Sequence, residues 1–276
     1  KSHDKNYVSD ENIFFSDHHL SHAASAFFPS PFEEAVVLTA DGVGEWATTT
    51  IAVGQKNNIR IDREIHFPHS LGMIYSAFTQ YIGFEVNNGE YKLMGLASYG
   101  NPKYKDLIYK HLIHVKKDGS FRLNQKYFNY ASGLTMINDN FEKLFVNKKR
   151  SEEEAITQFH MDIASSIQEV IEDIILLICK DAHKTYKLKN LCLAGGVALN
   201  CVVNGKIKES NIFDNIWIQP AAGDAGGSIG AALALWHIYL KNPFIKYQGR
   251  DRMKGSFLGP KYESHEIEAE LLKSGA

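Results

Sequence analysis

Apolar residues along this chain follow two rhythms, and the alternation between them sets out the elements. Short unbroken runs at Ala35–Ala40 (AVVLTA) and Thr48–Val53 (TTTIAV), with a third near Ile59–Ile65, suit a buried strand and its returning hairpin partners. Apolar residues at helical spacing mark His18–Phe28 (HHLSHAASAFF), Leu71–Gly83 (LGMIYSAFTQYIG) and a long amphipathic stretch from Glu154 to about His183. Ser16 or Asp17 is placed to cap the first helix, and Pro29-Ser30-Pro31 ends it. Beyond the long helix come a strand at Leu191–Ala194, a helix at about Val202–Glu209 and a short strand at Ile216–Ile218. A small-residue helix spans Gly226–Leu240, and a charged helical pattern lies at Tyr262–Lys273. Asn88–Gly100 reads as a glycine-punctuated loop. The stretch from about 115 to 150 carries Phe121, Tyr127, Phe128 and Tyr130 without periodicity, and reads as an insertion or short β excursion. Lys148-Lys149-Arg150, followed by Glu152-Glu153-Glu154, reads as a solvated helix entrance with acids at the positive end of the dipole.

Composition narrows the class only a little. Hydrophobic residues make up 44% and charged residues 22% of 276, which is ordinary for a globular protein. A net charge of −2 leaves no basic footprint for nucleic acid. No apolar run reaches spanning length, and the polar start KSHDKNYVSD is not a secretory signal. Cys179, Cys192 and Cys201 lack the CxxC spacing and sit among apolar neighbours, so they read as reduced core thiols of a cytoplasmic protein. The chain starts at Lys1 without a methionine and stops just past a helical pattern, so it reads as a fragment of a longer protein.

Two glycine-bearing segments carry the strongest chemical signal. Leu191–Asn200 (LCLAGGVALN) and Gln219–Ala232 (QPAAGDAGGSIGAA) each run from an apolar stretch through glycines into a helix. Glycine lets the backbone approach an anion, and the helix then aims unpaired N–H groups at it. Gly195 and Gly196 mark the first turn; Gly223, Gly226 and Gly227 mark the second, with Asp224 between them as a carboxylate for a metal or a ribose hydroxyl. Either turn taken singly is equally a tight strand-to-helix connection. His18 and His22 are four apart, so both imidazoles leave one helix face at the spacing that offers two ligands to one metal, or simply share a packed face. His19 points elsewhere and is read as structural. Asp41 ends an apolar strand beside Gly42 and Gly44, as a metal or phosphate ligand or as a turn aspartate. Glu90 and Lys92, in an otherwise apolar segment, face a ligand or each other.

Taken together, HHLSHAASAFFPSPF, LTADGVGEWATTTI, FPHSLGMIYSAFTQYIGF, NNGEYKLMGLASYG, LCLAGGVALNCVVNGKI and WIQPAAGDAGGSIGAAL occur in an order that resembles the ATP-dependent O-carbamoyltransferases of nodulation-factor and antibiotic biosynthesis. The resemblance covers most of Asp17–Leu235 and corresponds to that family's N-terminal domain, itself similar to the tRNA threonylcarbamoyl-transfer domain. It implies a two-lobed α/β fold of the actin/hexokinase/Hsp70 (ribonuclease H-like) ATPase type, with the opening strands missing. The first lobe is then expected at about 1–150 and the second at about 151–245, with 246–276 starting a connection toward an absent YrdC-like domain. The resemblance further implies a metal, iron as Fe2+, on His18, His22, Asp41 and Asp224, which double as the catalytic set. Gly195, Gly196 and Asn200 match its nucleotide loop, Gly223 and Gly226 its second glycine loop, and Glu90 and Lys92 its EYK segment near the ligand. Its reaction makes carbamoyladenylate from carbamoyl phosphate and ATP, then moves the carbamoyl group to a hydroxyl-bearing acceptor, a sugar or natural product. The 115–150 segment is expected to wall the acceptor. A homodimer is compatible with the resemblance; neither nucleic acid nor membrane is an expected partner. The competing reading is a nucleotide-binding or tRNA-modification module of the same superfamily.

Overall fold

The computed structural model describes residues 13–245 and 251–275; the polar start Lys1–Asp10 and part of the expected C-terminal connection lie outside the described residues. Helix α1 (His18–Phe27) precedes a meander of β1 (Glu34–Gly44), β2 (Ala47–Gln55) and β3 (Asn58–His66). Then come α2 (Leu71–Tyr81), α3 (Glu90–Ala97), α4 (Lys105–His111), the hairpin β4 (Ile113–Val115) and β5 (Phe121–Leu123), and α5 (Asp139–Phe145). The long α6 (Gln158–Tyr186) leads to β6 (Asn190–Ala194), α7 (Cys201–Glu209), β7 (Asn215–Ile218), α8 (Gly227–Ala234) and α9 (Ser264–Ser274).

One five-stranded sheet, ordered β3-β2-β1-β6-β7, organises these elements. The meander is antiparallel, whereas β6 runs parallel to β1 and β7 parallel to β6. Because β1 is covered on both faces, its residues alternate between two cores. Val36, Leu38 and Ala40 join Leu191 and Leu193 beneath α2 and α6, while Ala35 and Val37 join Cys192 and Ala194 beneath α1. This explains why AVVLTA shows no polar alternation. Helix α6 supplies its face with Ile163, Ile167, Ile171, Ile174 and Ile178, a 3.6-residue stripe wholly within the first core.

Several expectations are corrected here. Strands β1 and β6, on either side of the boundary expected near residue 150, pair directly in one sheet. The loop expected at Asn88–Gly100 is largely helix α3, because Glu90 folds back on the N–H groups of Asn87 (3.0 Å) and Gly89 (3.2 Å) and so satisfies donors at its N-terminus. Arg150 is not solvated: it is 6% exposed, with its guanidinium donating to the carbonyls of Ile82, Gly83, Glu152 and Glu154. The long helix starts at Gln158 rather than Glu154, where Thr157 and His160 form a reciprocal cap. The β excursion is present as β4–β5, but Phe121 and Phe128 are buried in the main core and neither lines the cleft beside Asp41 and Asp224. Among the described residues, no helix is long and apolar enough to cross a membrane.

Candidate metal centre and ligand cleft

Four side chains from three places in the chain converge at one end of the sheet. Helix α1 holds His18 and His22 one turn apart; Asp41 is carried by β1 at an irregularity in its pairing with β2, between Ala40 and Gly44. Asp224 comes from the second glycine loop, delivered by the packing of α8 on α1. That packing is tight: a Cβ on Gly230 would lie 1.8 Å from the Ser21 carbonyl oxygen, so only glycine allows the two helices to approach this closely.

Asp41 Oδ2 lies 3.0 Å from His18 Nε2 and 3.0 Å from His22 Nε2, and the two imidazole nitrogens are themselves 3.0 Å apart. Asp224 Oδ1 stands 3.5 Å from His18 Nε2 and 3.4 Å from His22 Nε2. One ligand atom from each residue fits within 4.8 Å of the others. With Asp41 ionised, no proton arrangement satisfies the inner triangle. With both Nε2 atoms protonated, two N–H groups face each other; with one deprotonated, its lone pair faces either the carboxylate or its neighbour without a proton between them. A cation shared by the three lone pairs removes the conflict. His22 is buried, and its Nδ1 has no hydrogen-bond partner. Imidazole nitrogens with carboxylate oxygens suit a borderline divalent metal, so the residues present fit one.

The electrostatics agree with this geometry. Burial alone would raise the pKa of Asp41, but hydrogen bonds from His18, His22 and the Gly42 N–H outweigh it and hold the carboxyl well below its usual range. The hydrogen bond to Asp41 raises the pKa of His18; burial opposes that, and the charges of Asp41, Asp224 and Glu45 add to the rise. His19 is separate, as expected. Its Nδ1 meets the Thr39 hydroxyl at 2.6 Å and its Nε2 the Ala47 carbonyl at 3.0 Å, and burial pushes its pKa down to about 4, so it is a neutral structural ring.

Asp41 also reaches the first glycine loop. Its Oδ1 accepts the N–H groups of Gly42 (2.8 Å) and Gly196 (3.1 Å). Gly195, at φ +88°, would place a Cβ 2.2 Å from the Ala40 carbonyl oxygen, and its N–H donates to Ala222 at 2.8 Å. The N–H groups of Gly195 and Gly196 are therefore engaged within the protein. These glycines act by bringing the two loops and the strand end together, and not as free anion donors. Asn200 caps α7 through Val203 N–H (3.1 Å), and its amide pairs with Gln168 (2.9 Å). Gln168 in turn bonds Tyr75 (2.8 Å) and Glu172 (2.9 Å), a buried network under the loop that sequence reasoning missed. Polar Gln168 and Glu172 at i, i+4 on the apolar face of α6 were the available signal.

A cleft of about 820 Å3 opens beside the cluster. Asp41, Gly196, Asn200, Gly223, Asp224 and Glu90 all line it, so most of the residues expected to act together do meet. Gly226 packs against the Ala221 carbonyl as a loop-forming residue. Lys92 does neither of the things expected of it: its ammonium sits 5.9 Å from the centres of the Phe84 and Tyr91 rings, away from the cleft lining and from Glu90. From the 115–150 segment, only Met136 reaches the cleft.

Comparison with known proteins accords with the motifs. The chain is 60% identical over 94% of its length to the uncharacterized protein sll1178 of Synechocystis sp., of which it spans 42%. It is 35% identical over 97% of its length to nodulation protein NolNO of Sinorhizobium fredii, spanning 37% of that protein, and 37% identical over 88% of its length to NolO of Bradyrhizobium diazoefficiens, spanning 41%. The crystal structure of T. kodakarensis HypF aligns at a TM-score of 0.43 with 15% identity, over 82% of this chain and 37% of that one. The chain thus spans about two fifths of the length of the curated relatives it matches. The profile described as carbamoyltransferase N-terminus matches residues 3–233, and the chain belongs to the carbamoyltransferase family.

Proposed function

We propose that this chain is the transfer domain of an ATP-dependent O-carbamoyltransferase, which moves a carbamoyl group from carbamoyladenylate to a hydroxyl of a sugar or natural-product acceptor. The observation that carries the reading is the meeting of the His18–His22–Asp41–Asp224 cluster with both glycine loops at the edge of one cleft, in a chain of this family. His18, His22, Asp41 and Asp224 would hold the metal, Fe2+ on the family resemblance, which when bound supplies Lewis acidity and a template for the adenylate. Asp41 positions the Gly196 loop through Oδ1 while its Oδ2 faces the histidines. The apolar lining from Leu71, Met73, Val86, Met94 and Leu199 offers a surface that excludes water around an acyl adenylate. Glu90, already accepting from the Ser76 hydroxyl at 2.6 Å, is a carboxylate at the cleft wall suited to a polar ligand group. The strand order, an antiparallel meander followed by two parallel strands, supports a ribonuclease H-like ATPase assignment. Synthesis of the adenylate from carbamoyl phosphate and ATP belongs, on this reading, to a YrdC-like domain of a longer protein.

Calorimetric titration with a nonreactive carbamoyladenylate analogue, with and without Mn(II), tests the reading. Binding is expected to depend on metal and to weaken by about tenfold or more in His18→Ala and Asp224→Asn, in the range seen when metal sites lose support. Analogue affinity that ignores both metal and substitution, in chains that keep their circular dichroism, would overturn it.

A further inference from the structure

A second concavity, of about 340 Å3, lies between the end of β3 and the β4–β5 hairpin, and none of the cluster residues lines it. Register decides what faces it. His114 of β4 is paired with Arg122 of β5, and Lys116 follows His114 by two residues. Alternation therefore puts His114, Lys116 and Arg122 on the outer face of the hairpin, while Ile113, Phe121 and Leu123 turn to the core. Among the described residues neither Arg122 nor Lys116 makes a close ion pair or a side-chain hydrogen bond, although both line the groove; the charge of Lys116 acts on Asp118 at the hairpin turn.

The acids nearby are already engaged. Glu64, in the lining, bonds His66 Nε2 at 2.7 Å, and Asp118 on the β4–β5 turn accepts the Ser120 N–H (3.0 Å) and hydroxyl (2.7 Å). His69 adds a neutral donor. Its Nδ1 accepts the Leu123 N–H at 3.2 Å, which leaves the proton on Nε2 with no protein partner. Burial, then the charge of Arg122, pushes the His69 pKa below its ordinary value, so the ring stays neutral where Arg122 and Lys116 are charged. Ile65 and Phe67 give the groove an apolar wall. The three histidines are not a metal site: among the described residues, only the His18 cluster brings three or more ligand atoms together.

We propose that this groove binds a small phosphate-bearing anion, with Arg122 and Lys116 as its charge partners and His69 Nε2–H as a neutral donor. Two cations without a close ion pair match a dianion, and the guanidinium fork matches two phosphate oxygens at once. The volume stands at the small end of ligand pockets, enough for a phosphate with a compact organic body against Phe67. The site is independent of the cleft and of the reaction proposed for it.

The test uses the imidazole resonances of His69 and His114 in the 15N-labelled chain, titrated with inorganic phosphate and with glucose 6-phosphate against sodium chloride at matched ionic strength. Saturable shifts with dissociation constants of about 10 mM or tighter are expected for a phosphate, and none for chloride. Equal affinities would identify the free ion as the ligand, and a tighter monoester would identify a phosphorylated small molecule; both support the site. The pair Arg122→Gln and Lys116→Gln, both exposed, should fold normally and weaken binding about tenfold or more, whereas His18→Ala should leave it unchanged. Absence of saturable shifts up to about 50 mM, or shifts that persist in the double variant, would overturn the proposal.

Discussion

Replacing Gly44 by alanine should disable the proposed metal centre without touching a ligand. A Cβ at this position would lie 2.1 Å from His18 Cδ2, 2.5 Å from its Cγ and 2.8 Å from its Nε2. Carbon atoms pack at about 3.5 Å or more, so the ring must recede by about 1.4 Å. Metal sites tolerate ligand displacements of about 0.2 Å, so His18 leaves the set altogether. The main chain does not resist the substitution, because Gly44 is outside the left-handed region, and the His18 side chain is part-exposed and can turn toward solvent. The cost to folding is then a rotamer change of about 1 kcal/mol, while metal affinity falls at least as far as the roughly tenfold to hundredfold seen for lost supporting contacts. Mn(II) titration by calorimetry, with urea denaturation of the metal-free chain as the control, reads both quantities. Metal affinity within about twofold of wild type in a folded Gly44→Ala chain would refute the placement of His18 in the centre.

Two further outcomes are expected elsewhere. Asp162, buried on α6, accepts from Asn101 N–H (2.9 Å), Lys103 Nζ (2.6 Å) and Gln158 Nε2 (2.8 Å); burial alone would raise its pKa, but these donors outweigh it and lower it. A depressed carboxyl stabilises the fold fully above its unfolded pKa of about 4, and that contribution is lost as pH falls through the folded value; Asp162→Asn should therefore be less stable by about 2 kcal/mol at neutral pH, with the gap closing under acid in urea titrations, and a gap that ignores pH would contradict the assignment. Burial pushes the thiols of Cys179 and Cys192 up to about 12, while Cys201 is exposed, so a thiol reagent should modify Cys201 alone in the native chain and all three after denaturation; rapid native labelling of either of the others would place them wrongly.

What could be read before folding was what sequence proximity encodes. The i, i+4 histidines, the apolar run ending at Asp41 and the glycine-bearing turns are local features, and each stands where its pattern put it. The pairing of β1 with β6 was not legible, because both strands are apolar on both faces and offer no alternation to match. Arg150 escaped for a related reason: its partners are backbone carbonyls, which no side-chain pattern announces. Lys92 was misplaced because a charge amid apolar neighbours was assumed to need an opposite charge, whereas its long stem lets the ammonium lie over aromatic rings.

The contact least visible in sequence also links the histidine cluster to the glycine loop. Asp41 and Gly196 are 155 residues apart, yet one carboxylate turns Oδ2 to the histidines and Oδ1 to the loop. Beyond Gly196 the loop ends at Asn200, which rests on the Gln168–Tyr75–Glu172 network in the wall of the cleft. On the proposed function, a cation drawing Oδ2 would also orient the carboxylate against the Gly196 N–H, and a ligand pressing on the loop would shift the carboxylate facing the histidines. Binding free energies are reciprocal, so whatever factor the metal contributes to cleft affinity, the cleft ligand returns to metal affinity. The sheet makes that coupling short: Thr39 on β1 and Ala194 on β6 form the last pair of one buried ladder, so Asp41 and the Gly195–Gly196 turn leave a shared rigid frame.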